Sequence, residues 1–217
     1  MKFKLLPLFF VVFFLNCRGQ DCQEKISLLP MYGGVEKCPE QLAIDKSFLA
    51  SIDQVYPNRK EAARLLVERA WSFLFTKDYE NAMKRFNQAW LLNPDSYEVY
   101  WGFGNLVAGS GKPKEAITYF EMAKQHNPTN SNFYTSSASA YFETFQADKK
   151  VENRDKGLAD LEAGLKLDDK NPKIYFLLSV TYFHLDNIKK AKEYLAMAEN
   201  IDSASVDPEF RKMLSSR

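Results

Sequence analysis

One pattern occurs twice in succession between Ala63 and Asn130, and it limits the possible folds more than any other feature of the chain. Five residues of the first copy recur 34 positions later: Ala70 as Gly104, Ala82 as Ala116, Phe86 as Phe120, Ala89 as Ala123, and Pro94 as Pro128. A period of this length is typical of stacked helix–turn–helix units. Small residues let the two helices of a unit approach closely, and large apolar residues fill the spaces between them. The chain is therefore predicted to be all-α.

Two further copies are less regular. The third begins at Ser131, but the pattern of its second helix arrives seven residues late, at Gly157 and Leu161. We therefore predict a long, solvated turn over residues 144–155, which is either a binding loop or a mobile spacer. The fourth copy begins at Pro172, where the preceding Asn171 is expected to cap the first helix.

The four copies cover about two thirds of the chain and resemble the tetratricopeptide repeat family. The resemblance implies an all-α, right-handed α-solenoid of about four helix–turn–helix repeats, with capping helices at both ends. In each repeat, helix A is followed by helix B. The expected solenoid spans residues 59–206, with repeats at about 63–96, 97–130, 131–171 and 172–205, and a C-terminal cap or tail covers 207–217.

The first sixteen residues are predicted to be a signal peptide. Lys2 and Lys4 precede an apolar run from Leu5 to Leu15, which is too short for a stable membrane span. Cys17 follows, and its position resembles the lipobox of bacterial lipoproteins, although Asn16 stands where Gly or Ala is usual. The resemblance implies lipidation of Cys17, a membrane anchor, and a place in the bacterial cell envelope as an outer-membrane lipoprotein. The alternative is an ordinary cleaved signal on a periplasmic or secreted protein.

Residues 17–58 are expected to form a tethered segment with a loop and a capping helix. Export would leave Cys22 and Cys38 as an even pair in an oxidising compartment, and the residues between them include a proline and two glycines typical of a loop. A disulfide between these cysteines would stabilise the fold by roughly 3 kcal/mol. Free buried thiols are the alternative, and no further His or Cys lies nearby to complete a metal site.

A helix is predicted from Pro39 to Val55, because apolar residues recur along one side of it. The ends of a solenoid expose an apolar face that must be covered. This helix is therefore expected to cap the first repeat, or else to fold back into the groove as a plug.

The family resemblance also indicates where a ligand would bind. In tetratricopeptide folds, helix A lines the concave face. Transferred onto this sequence, the partner-binding groove comprises Arg64, Trp71, Trp101, Asn105, Ser139, Phe142, Phe176 and Val180. Aromatic anchors are typical of peptide-binding surfaces. The alternative is that these rings only pack against the next repeat or the N-terminal helix.

Composition and motifs argue against other functions. The formal net charge is +1 and falls to −1 without residues 1–16, so nothing marks a nucleic-acid surface. His126 and His184 lie in different repeats, and no catalytic residues, metal ligands or cofactor motif are recognisable. We expect a non-enzymatic scaffold or adaptor lipoprotein that binds a protein or peptide partner in the envelope. The alternative is a structural accessory subunit that assembles laterally with itself or with an envelope complex.

Overall fold

A computed structural model describes residues 22–217 and contains ten α-helices within that range. Two short 3-10 turns, Ile26–Leu28 and Pro30–Gly34, precede the first helix, and a third lies at Ser203–Ser205. The helices are α1 (Pro39–Val55), α2 (Arg59–Phe75), α3 (Tyr79–Leu92), α4 (Tyr97–Gly109), α5 (Pro113–Lys124), α6 (Ser131–Asp148), α7 (Val151–Leu167), α8 (Pro172–His184), α9 (Ile188–Ile201) and α10 (Pro208–Ser215). No helix in the described range is long and apolar enough to cross a membrane.

The four repeats are antiparallel helix pairs, with α2, α4, α6 and α8 as A helices and α3, α5, α7 and α9 as B helices. Each pair has extensive contacts, and consecutive A helices also pack directly side by side. Among residues 22–217, no comparable contact joins consecutive B helices. The row of A helices is therefore the inner, concave face, and the predicted all-α solenoid is confirmed.

Close helix packing explains the small residues of the repeat. At Gly102 on α4, an added Cβ would lie 2.2 Å from the Phe86 ring of the preceding repeat. At Gly104, it would lie 2.6 Å from the Phe120 ring within the same repeat. Both distances are far shorter than any real carbon–carbon contact. A side chain at either position would force the helices apart.

The helix ends use polar side chains in the expected way. Asn58, Asp78 and Asn171 each accept a backbone N–H from the first turn of the helix that follows. Such caps satisfy donors that have no partner inside the helix. Asn171 also donates to Ser131 Oγ at 2.8 Å, so it ties the start of α8 to the start of α6.

The third repeat corrects one prediction, because its extra residues form helix instead of a long turn. α6 has 18 residues, whereas α4 and α8 have 13 each, and α7 begins after only Lys149 and Lys150. Lys149 adopts a left-handed conformation that ends α6 abruptly. No proline or glycine interrupts residues 144–155, so both helices extend beyond the usual repeat length.

The N-terminal end of the solenoid is covered mainly by the loop before α1. Asn87 is fully buried on α3; its Nδ2 donates to the carbonyl oxygens of Ser27 and Leu29, both at 2.9 Å. Its Oδ1 accepts the Tyr32 N–H at 3.3 Å. A single side chain therefore holds three backbone groups of the loop against helix B of the first repeat.

The α1 helix occupies the residues over which a helix was predicted, and it packs beside α2. Phe48, Leu49 and Ile52 join the core of the first repeats. The other sides of α1 remain open to solvent, with Ile44 and Val55 68% and 74% exposed. The helix therefore covers only part of the end of the solenoid.

The C-terminal end is closed by α10. Phe210 and Leu214 are buried against the last repeat. The Phe210 ring meets the rings of Phe176 and Phe183 edge-on, with centroids 5.5 and 5.6 Å apart. The predicted C-terminal cap is thus a short amphipathic helix.

Candidate partner-binding groove

Two adjoining depressions lie on the concave face. The larger, about 490 Å³, is the more polar of the two and is bounded by α4, α6 and the start of α8. The smaller, about 170 Å³, lies between the second halves of α6 and α8 and is mainly apolar. Ser139 and Glu143 line both depressions. Together they form one continuous groove across repeats 2 to 4, hereafter the central groove.

Three of the predicted groove residues meet in the polar part. Trp101 and Asn105 come from α4, and Ser139 faces them from α6. They come together because consecutive A helices pack side by side and these residues lie on the same exposed stripe of each helix. Trp101 Nε1 donates to Ser136 Oγ at 3.0 Å, which fixes the indole against α6. Asn105 Nδ2 donates to the Trp101 carbonyl oxygen at 2.9 Å.

The aromatic residues behave differently from the expectation of a solvated aromatic face. Trp71 packs edge-on against Trp101, with ring centroids 4.8 Å apart, and against Phe86 at 5.5 Å. Phe142 is only 6% exposed. Phe176 is covered by Phe210, as described above. Trp71 thus packs on the next repeat, as in the alternative that the sequence left open, whereas Phe176 packs on the C-terminal cap, which the sequence analysis did not predict.

Two other predicted residues have separate positions. Val180 lines the apolar part of the central groove. Arg64 lies on the first A helix, away from the residues that line the central groove, and forms ion pairs with Glu61 and Glu68 of its own helix. Its guanidinium is therefore already occupied. No α1 residue lines the groove, so α1 does not act as a plug there.

Sequence reasoning missed the central carboxylate. Glu143 lies on α6 at the junction of the two depressions, and burial raises the pKa of its carboxyl above the ordinary value. Glu143 follows Ser139 by four residues, so both occupy one face of the helix. This spacing was a usable signal, but the family pattern of groove positions stops one residue earlier, at Phe142.

A second polar cluster lies outside the groove, between repeats 2 and 3. Asp160 is 6% exposed; it pairs with Lys124 Nζ at 2.6 Å and accepts the Ser137 hydroxyl at 2.6 Å. Tyr141 donates to Glu121 at 2.8 Å beside it. Burial raises the pKa of Asp160, although Lys124 and Ser137 act in the opposite direction. These groups satisfy one another and join two repeats.

The cysteines are arranged as follows. Cys22 and Cys38 are joined by a disulfide, with Cα atoms 5.4 Å apart, and it closes the loop that Asn87 holds. Glu40 lies beside them, but sulfur atoms bonded to each other are not the thiolates that bind metals. Cys17 and residues 1–21 lie outside the described residues.

The histidines have structural surroundings. His126 stacks on Tyr100 with ring centroids 5.4 Å apart, while His184 lines the apolar end of the central groove. They lie in different repeats, as the sequence indicated. In residues 22–217, no His, Cys, Asp and Glu grouping close enough to hold a metal ion is found besides Cys22, Cys38 and Glu40.

Comparison with known proteins agrees with the helical pairing. Two tetratricopeptide repeat family models match the sequence, one at residues 76–144 and the other at residues 172–204. No curated protein matches it.

Solved structures with a similar fold include three repeat proteins. MamA superposes with a TM-score of 0.53 at 14% identity, covering 74% of this chain and 87% of MamA. PilW, a widely conserved type IV pilus biogenesis factor, superposes with a TM-score of 0.56 at 19% identity, covering 72% of this chain and 67% of PilW. A chain of the APC/C hetero-tetramer Cut9–Hcn1 superposes with a TM-score of 0.56 at 15% identity. The match covers 72% of this chain and 29% of that chain. At these identities the likeness concerns the fold alone. The matched repeats and the stacked helix pairs show that this chain belongs to the tetratricopeptide repeat family.

Proposed function

We propose that the protein is a non-enzymatic scaffold whose central groove binds a segment of a partner protein. The observation that supports this most strongly is the groove itself, which is open and continuous across three A helices and combines polar and apolar walls. Binding sites of this kind fix orientation with a few polar groups and gain affinity from apolar contact. The proposal includes no cofactor and no nucleic acid.

The groove is best tested at a residue that does not also hold the repeats together. Trp101 packs between two repeats, so its removal would disturb the fold as well as the groove. Ser139→Arg is a better variant, because it places a long side chain where the two depressions meet. Thr118→Arg makes the same kind of change on the exposed surface of the B helix α5 and serves as the matched control.

The experiment is chemical crosslinking in intact cells that naturally contain the protein, followed by capture and identification of the crosslinked partner. We expect one dominant partner with the wild type and with Thr118→Arg, and its loss with Ser139→Arg. Equal capture by all three proteins would show that binding does not use the groove.

We further propose that the protein is tethered to the bacterial cell envelope, as an outer-membrane lipoprotein, by a lipid on Cys17. The support is the sequence alone: a basic start, an apolar run and a cysteine at the junction. More than one acyl chain is needed for stable anchoring. Mass spectrometry of the mature N-terminus should find an acylated Cys17, and an unmodified cysteine or a different first residue would rule the anchor out.

A second candidate function is lateral assembly with copies of itself or within an envelope complex. It is favoured by the exposed apolar residues of α1, where Leu42 is 54% and Ile44 68% exposed. Analytical ultracentrifugation at rising concentration distinguishes the two functions. A protein that stays monomeric at every concentration would count against self-assembly and leave the groove as the binding surface.

A further inference from the structure

The hydroxyl groups that line the central groove have already used their hydrogen atoms. Thr135 donates to the Asn132 carbonyl at 2.7 Å, Ser139 to the Thr135 carbonyl at 2.9 Å, and Thr181 to the Leu177 carbonyl at 2.8 Å. Each hydroxyl has one hydrogen and two acceptor lone pairs. Towards the groove, these side chains therefore present only acceptors.

The amide and indole on the opposite wall are also engaged within the protein. Asn105 Nδ2 donates one of its two hydrogens to the Trp101 carbonyl oxygen, and Asn105 Oδ1 can accept from a ligand. The only N–H of the Trp101 side chain is committed to Ser136 Oγ. The wall formed by α4 thus adds an acceptor, Asn105 Oδ1, and one remaining donor hydrogen on Asn105 Nδ2, while the indole N–H is not available.

The carboxylate of Glu143 lies among these acceptors. It forms no ion pair with any residue in the described range. Two other charged or titratable groups face the groove: Lys173 at the α8 end of the polar part and His184 at the edge of the apolar part. Glu143 is exposed to solvent, and a negative group without a charged partner favours a cation from a ligand.

An apolar pocket adjoins the carboxylate. Phe142, Leu177 and Val180 supply its apolar surface. Its volume, about 170 Å³, suits one apolar side chain and is too small for a folded element. A ligand at this point of the groove thus meets an acceptor-rich anionic wall and an apolar pocket next to each other.

We infer that the segment bound in the central groove carries an arginine beside an apolar side chain, with the arginine at Glu143 and the apolar group between α6 and α8. This inference rests on the proposed function, since it names the kind of partner the groove would take. A guanidinium has five N–H donors and no acceptor, and it spreads them in a plane that matches a carboxylate and neighbouring oxygens. A lysine would offer three donors from one point.

The test uses purified full-length protein and fluorescein-labelled glycine-rich peptides with one Arg and one Leu. The Arg and the Leu are adjacent or separated by one or two glycines, and both orders are made. This set of peptides determines which spacing fits both parts of the groove. Matched peptides carry citrulline, a neutral analogue of arginine, or Glu at the Arg position. Fluorescence anisotropy measures the dissociation constant of each.

We expect at least one Arg–Leu spacing to bind, and its citrulline partner to bind about tenfold or more weakly, as is usual for loss of a charged hydrogen bond. Glu143→Gln should weaken binding of the Arg peptide by a similar factor and should leave the dissociation constant of the citrulline peptide unchanged. Glu162→Gln removes a carboxylate from the exposed surface of the B helix α7 and should change nothing. Circular dichroism melting checks that both variants fold.

Three results would overturn the inference: equal binding of Arg and citrulline peptides, tighter binding of the Glu peptides through Lys173, or no binding of any peptide at about 1 mM. The crosslinking experiment keeps the proposed function separate. Loss of the partner with Ser139→Arg, combined with any of these three results, would refute the arginine preference and leave the groove as the site. Unchanged capture with Ser139→Arg would refute the groove itself.

Discussion

The interfaces on either side of the second repeat are built from different chemistry. Between repeats 1 and 2, Trp71 packs edge-on against Trp101 with ring centroids 4.8 Å apart, and Phe86 packs edge-on against Phe103 at 6.1 Å. Between repeats 2 and 3, an aromatic contact of Phe120 with Phe133 is joined by the buried ion pair of Lys124 and Asp160. The first interface depends on shape, whereas the second also depends on each charge keeping its partner. One repeat pattern therefore accommodates two ways of stacking.

The largest predicted effect breaks the polar interface. Lys124→Met leaves the Asp160 carboxylate buried without a cation, and removal of one partner of a buried pair typically costs about 3–5 kcal/mol. Urea denaturation followed by circular dichroism measures the change in the free energy of unfolding. Lys124→Met combined with Asp160→Leu should recover most of the loss, because apolar replacements of both partners are often neutral. A loss below about 1 kcal/mol in the single variant would contradict this account.

The pH dependence of the same variant has a definite sign. The pKa of Asp160 is raised in the folded protein, so the folded state binds a proton more readily than the unfolded state does. The contribution of such a group to stability is present at low pH and is lost as pH rises through the folded-state pKa. The deficit of Lys124→Met relative to wild type should therefore shrink as pH falls from 7 towards 5. A deficit that stays constant over this range would mean that Asp160 is not the cause.

The next effect tests the aromatic interface. Gly102→Ala adds a methyl group that would lie 2.2 Å from the Phe86 ring, so α3 or α4 must shift. Overpacking of this kind usually costs about 1–3 kcal/mol. Gly109→Ala, at the end of the same helix, meets nothing within 4 Å and is the matched control. Equal thermal stability of the two variants would show that the repeats are packed less closely than described.

A similar loss, about 2 kcal/mol of the free energy of unfolding, is expected where the N-terminal loop joins α3. Asn87→Ala removes the partner of three backbone groups of the loop, of which the Ser27 and Leu29 carbonyls accept at 2.9 Å. Limited proteolysis should then cut the loop between Cys22 and Cys38 faster than in wild type. Asn200→Ala, an exposed change on α9, provides the control. Unaltered cleavage would mean that the disulfide alone holds the loop.

The smallest effect on stability is expected in the groove. Glu143 takes no part in either interface, so Glu143→Gln should change the free energy of unfolding by less than about 0.5 kcal/mol. Differential scanning calorimetry measures this directly. A large change would place Glu143 among the structural residues and remove the reason for assigning it to a ligand.

The sequence predicted the fold well because small and large residues at fixed spacing leave few ways for helices to pack. Ala82, Phe86 and Ala89 are fully buried in helix B, where the pattern placed them. The third turn was mispredicted because extra residues without proline or glycine can lengthen helices as easily as a loop. α6 ends just before Lys149, which has a left-handed backbone conformation although glycine is the usual residue there, so no sequence signal marked this helix end.

The groove could be predicted only in part. The family resemblance placed Trp101, Asn105 and Ser139 on the concave face, and the structure brings them together. Helical spacing could not distinguish a ring that faces solvent from one that packs against the next element, because both recur at the same period. Phe176 is covered only because α10 folds back on it, and this contact joins residues 34 positions apart, at 176 and 210. Glu143 was missed because what distinguishes it is the absence of an ion-pair partner among the described residues, and only the structure shows this.

Partner binding on the concave face of α4, α6 and α8 can be tested in the cell. The most direct measurement places a photoreactive benzophenone amino acid at Asn105, in the groove, or at Thr118, on the B helix α5, and irradiates intact cells. One discrete crosslinked product is expected from position 105 and none from position 118. A product from position 118 alone, or the same products from both positions, would contradict binding on this face.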